Sequence, residues 1–508
     1  MLDDPEVFPG GSSEEHERGR QLGLIVSRFE RLPMTSYQRR FFGVIATAWL
    51  ADQVNVALLG FLLVVLREYF HLSLFVVGVL GAMTYVGQLI GNVLAGYAAD
   101  RWGRRRVFQS TMIVWGVGGI LSALSWGIIP LLVFRCVVGV GVGGEAPVAQ
   151  AYLSEFITAD KRGKYIAYME GFWAVGYVMS GALAFLLLPV LPTDGFRLVF
   201  AVTGLLACII FWLRRAIPES PRWLAEAGRY VEANQVLSDV ESRVEAAYGS
   251  PLPVPGAPVE VGPLKALSPM TAISTLWERQ YLRRTVMAAG LWFFALLGYF
   301  GLTTWLTTLL KAHGYSVAGS IGFVTLISLG GIPGFLIAAV LIERLGRKLS
   351  MAVFLAGAAL FAYMYGHSSP SFLFTNGFVM QFFFFGMWCV LYAYTPELYP
   401  TRARASGAGW ASAFGRVGAI IGPVVVGAVV SGIGESGVFT LGAGAFAIAV
   451  LLVVILGPET RGKVLEEAAG EGVETSRVVA DSLGSQGNRS PRLVRYVANR
   501  YAMQRRMK

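Results

Sequence analysis

The hexapeptide Asp100-Arg101-Trp102-Gly103-Arg104-Arg105 recurs 243 residues later as Glu343-Arg344-Leu345-Gly346-Arg347-Lys348. Two further motifs recur at almost the same spacing. Ser154-Glu155 with Arg162-Gly163 returns as Pro396-Glu397 with Arg404-Ala405, at an offset of 242, and Pro218-Glu219-Ser220 returns as Pro458-Glu459-Thr460, at an offset of 240. Three independent motifs at nearly one spacing indicate that the chain consists of two similar halves.

Long apolar segments surround these motifs. The chain has 508 residues, of which 55% are hydrophobic and 15% are charged, whereas soluble domains carry about 25% charged residues. Its apolar runs recur at about 20 residues, the length at which a helix crosses the hydrocarbon core of a bilayer. We therefore predict an all-α polytopic membrane protein with twelve spans, at 41–66, 73–98, 107–126, 128–155, 163–188, 196–215, 283–309, 317–342, 349–366, 371–394, 406–431 and 437–457.

These spans divide the chain into five parts. An N-terminal segment (1–40) precedes a first six-helix bundle (41–215), a connector (216–282), a second six-helix bundle (283–457) and a C-terminal tail (458–508). The Pro- and Gly-rich stretch Gly249–Pro263 predicts a flexible linker inside the connector. The basic end of the tail favours loose contact with anionic lipid.

Basic residues predict the orientation of the spans, because Lys and Arg favour the cytoplasmic loops of membrane proteins. The loops on one side hold only Arg67, Arg197 and Lys311, whereas those on the other side hold twelve basic residues: Arg101, Arg104, Arg105, Arg106, Lys161, Arg162, Lys164, Arg344, Arg347, Lys348, Arg402 and Arg404. We therefore expect a multi-pass protein of the plasma (inner) membrane with both termini in the cytoplasm.

The composition also argues against several classes of protein. The net charge of +10 comes from short basic clusters between apolar runs, a pattern of membrane topology rather than of nucleic-acid binding. The three cysteines lie inside apolar segments without metal-ligand spacing, so no metal site or cofactor is expected. The four histidines lie in the N-terminal segment and outer loops, and no nucleophile–base set appears, so the chain is not expected to be an enzyme.

The motifs resemble those of the major facilitator superfamily of transporters, from about Phe29 to Glu467. The resemblance is carried by the loop from Gly96 to Arg105 and by Pro218-Glu219-Ser220-Pro221-Arg222-Trp223-Leu224 and Pro458-Glu459-Thr460-Arg461-Gly462-Lys463. It implies two pseudo-symmetric six-helix bundles that rock about a central site in alternating access, consistent with the parallel repeat. A monomer is expected.

Other motifs narrow the resemblance within the superfamily. The run from Arg135 through Gly139-x-Gly141-x-Gly143-Gly144-Glu145, the stretch Tyr394–Thr401 and Phe29–Pro33 are similar to the niacin permease, aromatic-acid:proton symporter and synaptic-vesicle-protein-like branch, which is related to sugar porters. Members often carry two aspartates in span 1, whereas this chain has Asp52 and Asn55. Half of that acidic pair is therefore missing from this chain. The glycines of span 4 are interpreted as positions of close helix packing.

Ionisable residues at membrane depth are costly and therefore suggest function. Asp52 lies in span 1 and Arg135 in span 4, and in related proton-coupled sugar porters an Asp and an Arg at equivalent places form the coupling pair. An approaching guanidinium favours the ionised carboxylate, so joining or separating the two would release or capture a proton. Glu145 is a candidate second proton site or substrate contact, and the competing interpretation is that it neutralises Arg135 or another inward-facing arginine. The alternative is a permanent Asp52–Arg135 ion pair that ties two helices together.

A second group of residues could line a substrate pocket. Arg416 is the charged residue deep in span 11 and could bind a carboxylate with its planar fork; alternatively, it snorkels to the cytoplasmic edge. Polar and aromatic side chains on spans expected to face the cavity complete the group, and most single aromatics are otherwise core residues. The candidates are Asn55, Tyr85, Gln88, Trp173, Tyr177, Trp292, Tyr299, Gln381, Trp388 and Arg416.

The charged loop residues are predicted to form a cytoplasmic gate, by resemblance to the superfamily. Ion-pair networks there would brace the outward-facing state and break when the protein opens inward. Single exposed pairs contribute under about 1 kcal/mol, so the effect needs the network. The gate comprises Asp100, Arg101, Arg104, Glu155, Arg162, Glu219 and Arg222 in the first half and Glu343, Arg344, Arg347, Glu397, Arg404, Glu459 and Arg461 in the second.

The leading functional hypothesis is a secondary active transporter that imports a small organic molecule by proton-coupled symport. An organic or aromatic carboxylate such as nicotinate is the favoured substrate, and the proton gradient is the expected driving force. A sugar or polyol porter is the close alternative. A different class, a non-transporting membrane sensor that binds partners through the connector and tail, also remains open. Drug export is less favoured because span 5 has no proline after Gly171.

Overall fold

The computed structural model describes residues 13–158, 161–191, 193–215, 217–255, 274–312, 314–399 and 404–461. Within these ranges the regular structure is helical. The end of the predicted linker and the basic tail lie outside the described residues. The helices are α1 (Ser13–Glu30), α2 (Ser36–Tyr69), α3 (Leu74–Trp102), α4 (Arg104–Ala123), α5 (Ile128–Phe156), α6 (Arg162–Leu187), α7 (Gly195–Arg214), α8 (Pro221–Glu226), α9 (Tyr230–Tyr248), α10 (Arg279–Thr303), α11 (Leu306–Ala312), α12 (Val317–Ser328), α13 (Gly331–Leu345), α14 (Arg347–Gly366), α15 (Pro370–Glu397) and α16 (Arg404–Leu456).

The described helices form twelve transmembrane segments. Ten stretches are long and apolar enough to cross a membrane, when α12 with α13 and the whole of α16 are each counted once. α16 is two helices that meet at Gly434, where a φ of 68° interrupts the helical backbone and favours a residue without Cβ. α4 is the remaining segment; its three leading arginines lower its hydropathy. The predicted all-α fold with twelve spans in two six-helix halves is confirmed.

The repeat is visible in the helix bounds. α3 runs over Leu74–Trp102 and α12 with α13 over Val317–Leu345, a shift of 243 residues at both ends. α4 and α14 show the same shift. Two predicted single spans are interrupted, however: span 7 is divided into α10 and α11, and span 8 into α12 and α13.

Glutamates cap the same helix in each half. Gly103 and Gly346 adopt positive φ angles of 97° and 92° just before α4 and α14. The Glu219 carboxylate accepts a hydrogen bond from the Arg105 backbone N–H at 3.0 Å, and Glu459 accepts one from Arg347 at 2.9 Å. A negative charge at a helix N-terminus is stabilising. This capping explains why the Pro-Glu-Ser and Pro-Glu-Thr motifs recur with the repeat.

The pKa of Glu459 reflects this position. Burial raises the pKa of the carboxyl, but hydrogen bonds from the backbone N–H groups of Arg461, Arg347, Thr460 and Lys348 outweigh burial and hold the pKa below its ordinary value. Glu459 is therefore ionised at neutral pH, as its capping role requires.

Glycines allow α3 and α5 to pack backbone against backbone. A Cβ on Gly91 would lie 2.0 Å from the Val140 carbonyl oxygen, and one on Gly139 would lie 2.1 Å from that of Thr84. Side chains larger than hydrogen cannot enter such an interface without moving a helix. The interpretation of the span 4 glycines as packing positions is confirmed.

Three helices outside the membrane pack on the first half. α8 and α9 belong to the connector, and α1 lies against both. The Arg28 guanidinium donates to Asn234 Oδ1 at 2.8 Å and to Glu241, and Arg31 donates to Glu241 at 2.7 Å. The Trp223 indole of α8 donates to the Asp100 carbonyl oxygen at 2.8 Å. We call this end of the molecule the connector side and the opposite end the far side.

Replacing Glu241 with Gln is expected to weaken the docking of α1 by about 1–3 kcal/mol, because two arginines lose their shared anionic partner. Burial raises the pKa of Glu241, but hydrogen bonds from Arg28 and Arg31 outweigh it and leave the pKa below its ordinary value of 4.5. The stabilisation is therefore complete above about pH 4.5 and is lost as the pH falls through the lower folded-state pKa. Hydrogen exchange of the α1 amides measures the effect. Glu232→Gln, in an exposed pair with Arg229, is the control, and equal protection in both variants would contradict the prediction.

Candidate functional site

The two halves meet in a cluster of aromatic rings centred on Trp388. Trp173 of α6 stacks on Trp388 of α15, with ring centroids 4.8 Å apart and an interplanar angle of 25°. Four further rings of the second half surround Trp388 with centroids 5.4 to 6.3 Å away, namely Trp292, Tyr299, Phe300 and Tyr392. The Trp173–Trp388 stack is thus an aromatic bridge between the halves.

Two indole N–H groups of the aromatic cluster donate hydrogen bonds, whereas the buried Trp388 N–H makes none with the described residues. The Trp173 indole N–H donates to the Tyr299 hydroxyl at 3.3 Å, across the interface between the halves. The Trp292 indole N–H donates to Thr395 Oγ1 at 2.8 Å within the second half. Buried indole N–H groups need such acceptors. The orientation of the rings is therefore set by polar contacts as well as by packing.

A small cavity lies on the far side of the aromatic bridge. Its volume is about 20 Å³, room for about one water molecule. The central site is therefore nearly closed in this conformation. The lining residues come from α2, α3, α6 and the end of α10: Gln53, Val56, Ala57, Gly60, Tyr85, Trp173, Tyr177, Tyr299, Phe300, Thr303 and Thr304.

Arg135 is fully buried beside α2. Its Nη2 donates to Asn55 Oδ1 at 3.2 Å, and its guanidinium lies 5.1 Å from the centre of the Phe200 ring. Asp52 is also fully buried, one turn before Asn55 on α2. Glu145 is fully buried on α5, ten residues after Arg135. The described hydrogen bonds of Arg135 thus go to Asn55.

Arg416 spans the interface between the halves. It is half-buried on α16, and its Nη1 donates to Gln88 Oε1 on α3. Its Nε is buried and makes no hydrogen bond with the described groups. The guanidinium thus retains a donor for a further acceptor, such as a carboxylate oxygen.

Glu170 belongs to the site although the sequence did not predict it there. It lies on α6 one turn toward the connector side from Trp173 and is 3% exposed. Gln150 Nε2 donates to one carboxylate oxygen at 3.2 Å, and the other oxygen accepts no hydrogen bond from the described residues. An acidic side chain at membrane depth is the sequence signal that could have identified Glu170. Phe300, Tyr392 and Gln53 carried no comparable signal in the sequence. Whether such side chains face the cavity depends on the rotation of each helix.

Two predicted pocket residues make their contacts outside the bridge. Gln381 is fully buried on α15 and donates to Ser328 Oγ at 3.0 Å. Tyr177 lines the small cavity and packs against Phe61 and Phe385, with centroids 5.3 and 5.8 Å away. The remaining predicted residues lie at the bridge, in the cavity wall or on the Arg135 and Arg416 contacts. Among the described residues, no group of acidic, His or Cys side chains is arranged to hold a metal ion.

The predicted gate residues form the same ion pair in each half. Arg104 pairs with Glu155 in the first half, and Arg347 pairs with Glu397 at 3.1 Å in the second. Arg461 donates to the Arg344 carbonyl oxygen. The Arg101 guanidinium contacts Tyr97, and Glu343 contacts Arg347 at 3.4 Å. Asp100, Arg162, Arg222 and Arg404 lie on the same side. In the described part of this face, each of these ion pairs lies within one half.

The halves are joined on the far side. Gly78 of α3 lies so close to α16 that a Cβ would be 2.5 Å from the Pro423 carbonyl oxygen. Thr307 of α11 donates to the Gly60 carbonyl oxygen of α2 at 2.8 Å, and Lys311 pairs with Glu68. The conformation is therefore closed at the far side.

Comparisons with known proteins agree with this architecture. Residues 34–471 match the family described as "Sugar (and other) transporter". The chain is 35% identical over 448 residues to the niacin transporter NiaP of Acinetobacter baylyi, covering 87% of this chain and 99% of that protein. It is also 35% identical to a putative niacin/nicotinamide transporter of Bacillus subtilis over 431 residues, covering 84% and 98%.

Solved structures show the same fold. A D-xylose–proton symporter superposes with a TM-score of 0.66 at 18% identity, covering 85% of this chain and all of that one. The inward open xylose transporter XylE from E. coli gives 0.64, covering 85% and 99%. The match over most of the chain, together with twelve helices in two repeated halves, leads to one conclusion. The protein belongs to the sugar (and other) transporter family of the major facilitator superfamily.

Proposed function

We propose that this membrane transporter imports a small aromatic carboxylate of the nicotinate type together with protons, by alternating access. The observation that carries the proposal is the Trp173–Trp388 bridge with Arg416 on the neighbouring helix α16. Parallel indole faces suit a planar ring, and a guanidinium suits a carboxylate. The niacin transporters at 35% identity support the same substrate class.

The closed site defines what substrate binding must change. A cavity of about 20 Å³ cannot hold a pyridine ring, so the ligand must separate Trp173 from Trp388 and stack in place of one of them. The two indoles belong to different halves, and separating them therefore opens the site between the halves. The ligand carboxylate would accept a hydrogen bond from Arg416 Nε, which makes none with the described groups in this conformation.

Proton coupling is proposed to use the buried charges of the first half. Arg135 now bonds Asn55, one turn from Asp52 on the same helix face. A small shift of α5 along α2 would move the guanidinium between Asn55 and Asp52. Its arrival would release a proton from Asp52, and its departure would favour uptake of one. Glu145 and Glu170 are further candidate proton sites.

The connector side is proposed to face the cytoplasm, in the plasma membrane. The twelve basic loop residues support this orientation. The far side, where α11 closes on α2, would then face outward. The intact pairs Arg104–Glu155 and Arg347–Glu397 brace each half as a rigid body, consistent with rocking of the halves.

Replacing Trp388 with Ala is expected to weaken nicotinate binding about tenfold, because the site loses one face of its ring slot. Isothermal titration of the purified full-length protein measures the dissociation constant. Trp126→Ala is the matched control, since Trp126 is 77% exposed and lies away from the site. Equal losses in both variants would argue against the aromatic bridge as the binding position.

Uptake into proteoliposomes tests the transport proposal itself. Labelled nicotinate is expected to accumulate when the outside is made acidic, and unlabelled benzoate is expected to compete while nicotinamide competes less, because it has no carboxylate for Arg416. Accumulation of nicotinate that ignores the pH gradient would refute coupling. Absence of any flux would instead favour the non-transporting sensor.

A sugar or polyol porter is the second candidate. The buried amides Gln53, Gln88 and Gln381 favour it, since amide groups bind hydroxyls, and the xylose transporters share the fold. Competition of labelled nicotinate uptake by xylose in the same vesicles separates the two candidates. Strong competition by xylose and none by benzoate would replace the carboxylate proposal with the sugar one.

A further inference from the structure

A second cavity lies on the far side, entirely within the second half. Its volume is about 240 Å³. A cavity of about 150 Å³ already accommodates benzene, whereas pockets for drug-sized ligands are larger than this one. Leu306, Leu309 and Leu310 of α11 form one wall. The rest is formed by Tyr315, Tyr365, Gly366, Ser368, Pro370, Leu373, Glu435 and Phe439. None of these residues lines the central cavity.

The cavity contains an unsatisfied polar atom. Tyr365 is 4% exposed, its ring packs against Phe439 with centroids 4.9 Å apart, and its hydroxyl has no hydrogen-bond partner among the described residues. A buried hydroxyl without a partner costs about 1–3 kcal/mol. A bound ligand with a polar head would recover this cost.

A carboxylate in the cavity wall favours a positively charged head. Glu435 lies half-buried in the wall, directly after the break in α16 at Gly434. Two tyrosine rings, Tyr315 and Tyr365, line the same space. A carboxylate beside aromatic rings suits a cation. The leucine wall suits an apolar body.

We propose that this cavity binds a small amphipathic organic cation, an arylalkyl- or alkylammonium, outside the transport path. The ammonium group would donate hydrogen bonds to Glu435 and Tyr365, and the apolar body would lie against the leucines of α11. The chemistry differs from that of the central site, where Arg416 suits an anion.

Because of the position of the cavity, a ligand bound there is expected to affect the transport cycle. α11 lies between the cavity and α2, and Thr307 on its other face donates to Gly60. A ligand that fills the cavity would hold α11 against α2 and keep the far side closed. This consequence rests on the proposed function, whereas the binding itself does not.

The test is binding of 2-phenylethylammonium chloride to the purified full-length protein, measured by calorimetry. The wild type is expected to bind it, and to bind the neutral 2-phenylethanol and the anionic phenylacetate at least about tenfold more weakly. Glu435→Gln is expected to lose about tenfold in affinity and Tyr365→Phe a smaller factor. Glu245→Gln, which removes an exposed carboxylate on the connector side, should bind as the wild type does.

Leu373→Trp provides a second variant that keeps the carboxylate and fills the cavity, and it should abolish binding. Nicotinate affinity, measured in parallel, is expected to be unchanged in all these variants, so failure of either proposal can be recognised separately. Undetectable binding of 2-phenylethylammonium to the wild type, equal binding of phenylacetate, or full binding to both Glu435→Gln and Leu373→Trp would overturn the proposal.

Discussion

Asp52→Asn is expected to abolish accumulation of substrate against its gradient while downhill exchange persists. Asp52 is fully buried on α2, one turn from the Asn55 that Arg135 bonds. An amide cannot carry a proton through the cycle, so the pH gradient would no longer be coupled to substrate movement. A 100-fold difference in proton concentration across the membrane supplies about 2.7 kcal/mol per proton, and this driving force would be lost. Uphill uptake and counterflow in the same proteoliposomes measure the two activities.

The matched control is Asp194→Asn, which removes a half-exposed carboxylate that pairs with Arg197 at 2.8 Å on the far side. This variant should retain uphill uptake. If Asp52→Asn still accumulates substrate to the wild-type level, Asp52 is not the coupling site, and Glu145 or Glu170 becomes the candidate. If both uptake and counterflow disappear with intact folding, Asp52 instead serves as a structural partner.

Gly91→Ala is expected to prevent the protein from reaching its folded state in useful yield. The new Cβ would lie 2.0 Å from the Val140 carbonyl oxygen, and backbone on both sides prevents a side-chain rearrangement from relieving the overlap. Overpacking of this kind costs about 1–3 kcal/mol even where side chains can move, so separation of α3 from α5 should cost at least as much. Yield of monodisperse protein and its melting temperature measure the loss.

Gly96→Ala is the control on the same helix. A Cβ there meets nothing within 4 Å, and alanine favours the helix over glycine by about 1 kcal/mol. The control should therefore be as stable as the wild type or more stable. Comparable melting temperatures for the two variants would show that α3 and α5 can separate without loss, contrary to the close packing described above.

Helix positions were predictable because hydropathy reports where lipid must be. Span 4 was expected at 128–155 and is observed as Ile128–Phe156. The breaks in spans 7 and 8 were not predictable, since the apolar runs continue across them. The chain turns after Thr303, where the Trp305 indole donates to the Pro423 carbonyl oxygen at 3.0 Å, a contact between distant segments.

The site was predictable in its members more than in its arrangement. Trp173, Tyr299 and Trp388 were recognisable as polar-capable aromatics in spans that face a cavity. Their stacking depends on the rotation of each helix and on how the halves dock, and local sequence patterns predict neither of these. The hydrogen bond from Arg416 to Gln88 joins residues 328 positions apart. It was not predictable either, because it also depends on how the halves dock. The roles of these residues stay predictions.

The shift of 243 residues between matching helix ends allows the two halves of the site to be compared position by position. Near the start of the chain this shift aligns Asp52 with Ala295, so the buried acid of one half corresponds to a methyl group in the other. At the offset of 242 that Glu155 and Arg162 show, Glu145 aligns with Met387 and Trp173 with Gly415. The buried acids Asp52 and Glu145 thus have no acidic counterpart in the second half, which holds most of the ring slot. A chain assembled from two first halves would bury two sets of acid and arginine and would lose the Trp388 cluster. The first half therefore cannot replace the second.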